Sequence, residues 1–323
     1  MFNKNQKLLN MKSIFFSFRR VTVLAMGAIL VLTTSCEKDE TPAPAPTPAL
    51  KTITEIVSTD TSFSLLKQAV VRAGLADDLS TGSFTVFAPN NAAFRNTGID
   101  STAIGSLGLD TLVDILTYHV IGSKIMSTNL QNSQAVASLQ GANLYVSKND
   151  NGVFVNGIKV NAADINASNG VIHVIEKVIL NVPNQSIGDI VSGNPDFSTL
   201  LAAVVKADLV SVFTGSGNYT VFAPTNAAFD DAGLTSVIND PATPASDVVA
   251  ILKAHVIGTN VFASDLIQGA TAPTLQPNVT LTIGTTPAAS VIITGSNNPV
   301  SNIVAANIVA TNGVIHVIDK VLQ

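Results

Sequence analysis

Tryptophan is absent from the 323 residues, aromatic side chains make up only 5%, and there is a single cysteine, Cys36. So few rings leave little material for the stacking platforms that hold bases or planar ligands. One cysteine excludes an intramolecular disulfide and a thiolate-based zinc centre. Basic residues are scarce too: 17 Lys and Arg stand against 22 Asp and Glu, and Lys4, Lys7, Lys12, Arg19 and Arg20 all fall within the first 35 residues, which carry no acid. Removing those five from 17 leaves 12 basic against 22 acidic residues from Cys36 onward, a formal charge of −10. A surface of that sign repels phosphate backbones, so no nucleic-acid partner is expected. Also missing are the Gly-x-Ser-x-Gly elbow, the His-Glu-x-x-His zinc helix and the Gly-Lys-Ser/Thr phosphate loop. The expectation is therefore a non-enzyme with no catalytic residue, no cofactor and no metal.

What is present begins with an address. Lys12, Arg19 and Arg20 precede a run without charge over residues 21–32, followed by the small polar Thr33, Thr34 and Ser35 and then Cys36. Basic region, apolar region and small residues before a cut are the layout of a secretory signal. Twelve residues at a rise of ~1.5 Å cover roughly 18 Å, short of the ~30 Å hydrocarbon core, so a signal over 1–35 is expected rather than a membrane span. The string LTTSC resembles a bacterial lipobox, which implies lipidation of Cys36 and a membrane contact through that lipid anchor. Stable anchoring takes more than one acyl chain, because each buried CH₂ contributes only ~0.8 kcal/mol. EKDE, residues 37–40, resembles an acidic tag that sends lipoproteins to the cell exterior. TPAPAPTPA, residues 41–49, favours extended polyproline II and acts as a semi-rigid spacer. Residues 36–49 thus read as anchor, tag and linker of an outer-membrane lipoprotein facing outward, or alternatively the periplasm.

The rest of the chain repeats itself. FTVFAPNNAAF, residues 84–94, and YTVFAPTNAAF, residues 219–229, match at nine of eleven positions. ASNGVIHVIEKVIL, residues 167–180, and ATNGVIHVIDKVLQ, residues 310–323, match at ten of fourteen. Between them Tyr118-His119-Val120-Ile121-Gly122 answers Ala254-His255-Val256-Ile257-Gly258. Collinear matches in one order mean a duplicated domain. The spacing grows by seven between the second and third matches, so the second copy carries extra residues between 262 and 310, a Thr-, Pro-, Gly- and Asn-rich stretch suited to surface loops.

Each copy opens on an amphipathic pattern: Phe63, Leu66, Val70 and Ala73 behind Asp60 and Ser62, and Phe197, Leu200, Val204 and Ala207 behind Asn194 and Asp196. Spacings of 3, 4 and 3 place those residues on one helical face, with an Asx or Ser cap, so this helix is expected to start each domain. Thr85-Val86-Phe87 and Thr220-Val221-Phe222 read as buried strands ended by Ala-Pro. Asn90 or Asn91, and Thr225 or Asn226, are expected to cap the helix that follows. Residues 171–179 and 314–322 read as central strands.

The TVFAP-N-AF box, the His motif and the Asn-Gly-Val-x-His-x-Ile box resemble the signatures of the fasciclin domain family. The resemblance covers domains at 50–180 and 184–323 and implies an α+β fold, a twisted β-wedge or sandwich packed against a group of helices. It further implies a non-catalytic adhesion or interaction role. The same resemblance brings a Tyr-His pair implicated in integrin binding by animal members, which here falls on Tyr118 and His119. In the second copy Ala254 replaces the tyrosine while His255 remains.

All four histidines (His119, His173, His255, His316) lie in repeated motifs, and a neutral structural role outweighs a ligand role because no acid or cysteine recurs beside them at ligand spacing. Asp77-Asp78 and Asp230-Asp231 occupy different places in the two copies and read as solvated helix-end charge. The expected partner is an extracellular protein or polysaccharide, in cell–cell, cell–matrix or cell–polysaccharide contact. The alternative is a glycan-binding accessory lipoprotein of a surface uptake system.

Overall fold

A computed structural model describes residues 49–322 apart from 132–133, 268, 285–289 and 294–299, within one compact unit of the chain. Cys36, the signal, the acidic tag and all but the end of the Pro/Ala linker lie outside the described residues.

The first domain begins one helix earlier than its periodicity announces. Thr52 accepts from the amide of Glu55 while the Glu55 carboxylate accepts from that of Thr52, a capping box that starts helix α1, Ile53–Thr59. Asp60 then caps a single 3₁₀ turn, Thr61–Phe63, and the expected amphipathic helix follows as α2, Ser64–Ala73. Strand β1, Phe84–Pro89, leads into α3 (Asn91–Asn96), α4 (Ser101–Ser106), α5 (Leu109–Tyr118) and β2 (Val120–Ile121). Five more strands complete the sheet: β3 (Gln134–Ala137), β4 (Asn143–Asn149), β5 (Gly152–Val155), β6 (Ile158–Ala167) and β7 (Gly170–Ile175).

The second domain repeats the plan. A Ser186–Asp189 capping box starts α6, Ile187–Gly193, which leads into α7 (Ser198–Lys206), an additional α8 (Val210–Thr214), and β8, Tyr219–Pro224. Then come α9 (Asn226–Asp231), α10 (Leu234–Asn239), α11 (Ala245–Ala254), β9 (Val256–Ile257), β10 (Thr271–Pro273) and β11 (Thr280–Gly284). The last strands are β12 (Ser290–Ile293), β13 (Ser301–Ala310) and β14 (Gly313–Ile318).

Each domain holds a seven-stranded mixed sheet, ordered β2-β1-β7-β6-β5-β4-β3 and β10-β11-β12-β13-β14-β8-β9. The two signature boxes lie side by side in it, as the parallel pairs β1–β7 and β8–β14, one strand in from the β2 and β9 edges. Every residue of β7 and of β14 is buried. In the first domain Val86, Ala88, Ile172 and Val174 face a core built with the helices. Phe87 and Ile175 face a second core containing Leu144 and Val146 of β4 and Val155 of β5. A sheet whose β4 and β5 cover its own β1 and β7 must bend back on itself, and register shifts along β6 between Val160 and Ile165 supply the bend. The wedge-and-helices α+β fold that the resemblance implies is thus the fold observed.

Local expectations needed adjustment where side chains intervene in the ladder. β1 and β8 run through their prolines, because Pro89 and Pro224 are terminal residues paired with Ile175 and Ile318. β7 stops at Ile175 rather than running to 179, because beyond Glu176, whose amide still donates to Lys159 O, the amides of Val178 and Ile179 leave the sheet for side-chain acceptors. Val178 donates to Thr97 Oγ1 and Ile179 to His119 Nε2, both at 3.0 Å. The cap alternatives resolve to Asn90 and Thr225. Asn91 and Asn226 instead accept from Leu65 and Thr199, tying these helices to α2 and α7. The glycine of each Asn-Gly pair permits close approach: a Cβ on Gly170 or Gly313 would lie 2.1 Å from the carbonyl of Phe84 or Tyr219.

The domains meet along a seam. Tyr145 of β4 and Phe262, each 2% exposed, pack with ring centroids 5.9 Å apart beside Val314 and Val309. Asn149 donates to Ser264 O at 3.0 Å. Gly157, at φ +75°, lies so close to Asn307 that a Cβ would sit 2.7 Å from its Nδ2.

Candidate functional site

The residues singled out by repetition are held inside. Tyr118 ends α5 fully buried, and its hydroxyl donates to Asn143 O at 2.8 Å while accepting from Asn156 Nδ2 at 2.9 Å. Asn156 also accepts from Tyr145 N, so Tyr118 pins the β4–β5 hairpin that reaches the seam. Burial raises the phenol far above its ordinary range. His119, 3% exposed, has both ring nitrogens engaged: Nδ1 lies 2.8 Å from Ile115 O and Nε2 accepts from Ile179 N. His255, 2% exposed, repeats this with Ile251 O and Leu322 N, each at 2.8 Å. One nitrogen donating and the other accepting is the neutral ring. Desolvation lowers both imidazoles to about 4, against the smaller opposing pull of the Ile115 and Ile251 carbonyls. None of the three carries surface that a partner could touch in this conformation.

His173 and His316 hold a different joint. Their Nε2 atoms meet Ile125 O at 3.0 Å and Val261 O at 2.8 Å, while Nδ1 accepts from the amides of Asp164 and Asn307. Those two residues adopt φ of +62° and +60° at the sheet bulge, so each histidine supplies an acceptor to an amide that the bulge removes from the ladder. Burial lowers both histidines.

Ser127, Asp164 and His173 come together in the first domain without forming a catalytic triad. Ser127 Oγ donates to Asp164 Oδ2 at 2.5 Å, and Asp164 Oδ1 lies 4.0 Å from His173 Nδ1. A nucleophilic serine needs the imidazole as its base. Here the serine is bonded to the carboxylate, and both histidine nitrogens serve the backbone. Burial raises Asp164, but the hydroxyl and amide of Ser127 outweigh it and hold the carboxyl below its usual range. The second domain has Ala263 and Asn307 in these places, so the cluster is not duplicated.

Among the described residues no group of three or more His, Cys, Asp or Glu side chains could hold a metal ion. Nor is any helix among them long and apolar enough to cross a membrane. Asp77, Asp78, Asp230 and Asp231 are exposed. Sequence reasoning passed over Thr85 and Thr220, both fully buried, which receive the amides of Ile125 and Val261 and donate to Ser123 O and Thr259 O. It also passed over Asn169 and Asn312, which accept from Ile53 and Ile187 at the start of α1 and α6. Their recurrence in both copies was the available signal.

Comparison with known proteins agrees with this duplicated scaffold. A family model described as the fasciclin domain matches residues 61–181 and again 195–323. Transforming growth factor-beta-induced protein ig-h3 of Sus scrofa is 32% identical over 248 residues, 75% of this chain and 35% of that protein. Human periostin is 32% identical over 67% of this chain and 25% of its own length. The chain thus spans about a third or less of these two relatives. Protein sll1483 of Synechocystis sp. is 42% identical over 51% of this chain and 94% of that protein. A FAS1 domain pair from the insect cell adhesion molecule Fasciclin I aligns over 84% of this chain and 95% of its own, at 19% identity and a TM-score of 0.41. With both halves matched by the same domain, the chain belongs to the fasciclin family.

Proposed function

We propose that this protein is a non-catalytic adhesion or interaction module, tethered to the outer membrane through a lipidated Cys36 and presenting its two domains to the cell exterior. One observation carries the reading. The chemically versatile residues that recur in both copies, four histidines among them, are buried and spent on backbone groups, which leaves recognition to the outer surfaces where the copies differ. A scaffold of this kind displays loops rather than assembling an acid–base site. The partner is an extracellular protein or polysaccharide, and two tethered domains raise avidity if both engage one surface. Any contribution of Tyr118, His119 or His255 to binding then passes through the segments they position.

Protein-coated beads challenged with cells, matrix and a glycan panel test this reading. Retention on cells or matrix supports adhesion; retention on defined glycans alone favours a glycan-binding lipoprotein of an uptake system; turnover of any substrate ends the non-enzyme reading. Palmitate labelling that disappears in Cys36→Ala supports the anchor, and an unlabelled parent defeats it. Protease treatment of intact cells reads the orientation, since full protection places the domains inside the envelope.

A further inference from the structure

Both domains carry an apolar slot in the same place, between their first two helices. The first is lined by Val57 of α1, Leu66 and Val70 of α2, and Leu79; the second by Val191, Leu200, Val204 and Phe213, at equivalent positions. The walls are fixed by the closing-box asparagines. Asn169 accepts from Ile53 N and donates to Leu79 O, both at 2.8 Å, and Asn312 accepts from Ile187 N and donates to Phe213 O. One asparagine side chain, half-buried Asn169 or buried Asn312, thus spans the two sides of each slot, an arrangement that lowers the ordering cost of whatever enters. Beside each slot the helix surface leaves a valine outward, Val71 at 63% and Val205 at 59% exposure. A lone exposed valine is ordinary. The same valine at the same position beside the same slot in two diverged copies marks a shared apolar face.

The size of the slots decides what fits. Their volumes are about 50 and 110 Å³. Small-molecule sites usually run to roughly 300–1,000 Å³, and an apolar cavity of ~150 Å³ takes benzene. Room for only a few carbon atoms suits the end of one aliphatic side chain. The slots differ in charge at the mouth. Lys67 is the one permanently charged side chain lining the first among the described residues, and its ammonium reaches only the Ser58 carbonyl, at 3.2 Å. Leu201 occupies its place in the second, where Asp189 is committed to the Ser186 cap.

We propose that each slot is a seat for one branched aliphatic side chain of a partner protein, and that the first slot selects a side chain with a carboxylate beside it. The ammonium of Lys67 meets that carboxylate at the rim, whereas the second slot, lined by the Asp189 carboxylate, takes the aliphatic group without favouring an anion.

Methyl NMR of the full chain, titrated with 4-methylpentanoate and with 4-methylpentan-1-ol, tests the seat independently of any adhesion ligand. Both probes carry the leucine side chain and differ in the carboxylate. The expected result is saturable shifts at Val57, Leu66 and Val70, and at Val191 and Val204. The carboxylate should be favoured about two- to fivefold at the first slot only, the range of an exposed ion pair. Lys67→Leu, a change on an exposed rim, should remove that preference and leave the alcohol unaffected. Shifts that do not saturate, shifts confined to other surfaces, or a preference surviving Lys67→Leu would overturn the proposal. Dodecanoate binding tenfold or more tightly than 4-methylpentanoate would overturn it in favour of a lipid-chain site. None of these outcomes depends on bead retention, so the seat and the adhesion reading stand or fall separately.

Discussion

The loop-and-bulge face of the second domain packs against the first through the buried Phe262, whereas none of the equivalent residues on the same face of the first domain is buried. Phe262, Ala263, Asn307 and Val309 in the second domain correspond to Met126, Ser127, Asp164 and Asn166 in the first. Phe262 is 2% exposed under Tyr145, whereas Asn166 is exposed and Met126 half-buried. At Ala263, Asn307 and Val309 an apolar or neutral residue replaces a more polar one, whereas Asp265, which meets Asn149 across the seam, stands in place of Asn129. The hairpin side of the seam diverges in the complementary sense, since Tyr118 anchors the β4–β5 hairpin that docks and the second copy has Ala254 in its place. The signature boxes that build the shared fold stayed nearly the same, and the residues at the seam are among those that differ. The two copies are therefore not interchangeable beads, and the first presents to the outside a face that the second uses internally.

The largest expected effect tests the shared half of this comparison. His119 and His255 have folded values of about 4 against an ordinary 6.5. The unfolded chain then takes up protons on these rings below pH 6.5 while the folded chain does not, so stability is complete above that pH. It falls progressively between 6.5 and 4 and levels off below. At 1.36 kcal/mol per unit, each ring accounts for on the order of 3 kcal/mol of that loss. Thermal melts across this window should show both domains losing stability together. One domain melting early while the other holds would mean that the two pockets, alike in geometry, are unlike in energy.

Next comes the seam. Phe262→Ala removes its aromatic core and should cost about 3–5 kcal/mol, the usual range for a buried ring. Calorimetry should then resolve two transitions in place of one, because the contact coupling the domains is gone. The equivalent change in the first domain, Met126→Ala, truncates a half-buried side chain and should cost less, about 1 kcal/mol. Equal costs would dissolve the contrast between the two faces. A third change reads the anchor of the hairpin. Tyr118→Phe leaves Asn143 O and Asn156 Nδ2 without their shared hydroxyl in a buried place, at a cost of about 1–3 kcal/mol. Because the hairpin reaches the seam, this loss should also weaken the coupling of the two transitions, which a purely local defect would not do.

These contrasts explain why some of the architecture was legible in the sequence and some was not. Repetition exposed the duplication, the paired signature strands and the helix behind Phe63, since each rests on a local pattern recurring at nearly fixed spacing. The helix α1 escaped because seven residues, ITEIVST, are too few for periodicity to speak, and its Thr52–Glu55 box is the better signal. Strand ends were misjudged where long-range side chains capture backbone amides, as His119 does with Ile179 from 60 positions away. The seam was invisible for the same reason, because Tyr145 and Phe262 lie far apart in sequence. The histidine motif was readable as a motif, yet its burial follows from the sheet bending over itself, which no local spacing encodes.

The smallest effect is the sharpest probe of what divergence between the copies means. At the bulge Asp164 accepts from the amide and hydroxyl of Ser127, and Asn307 at the same place accepts from Ala263 N through Oδ1 at 2.8 Å. Both backbones sit at φ near +60°, which Asn and Asp tolerate better than other side chains. Asp164→Asn therefore keeps the conformation, the amide acceptor and the His173 contact to its backbone. Only the charge assistance of the Ser127 bond is lost, and Asp164 is partly exposed, so the change at pH 7 should stay within about 1 kcal/mol. The carboxylate is held below its ordinary range, so its contribution is present at neutral pH and fades as acid protonates it. The parent and the Asp164→Asn variant should accordingly converge in melting temperature at low pH. A gap that persists there would assign the bulge carboxylate a structural role beyond its charge, and the polar face of the first domain would then have to be read as scaffold rather than as open surface.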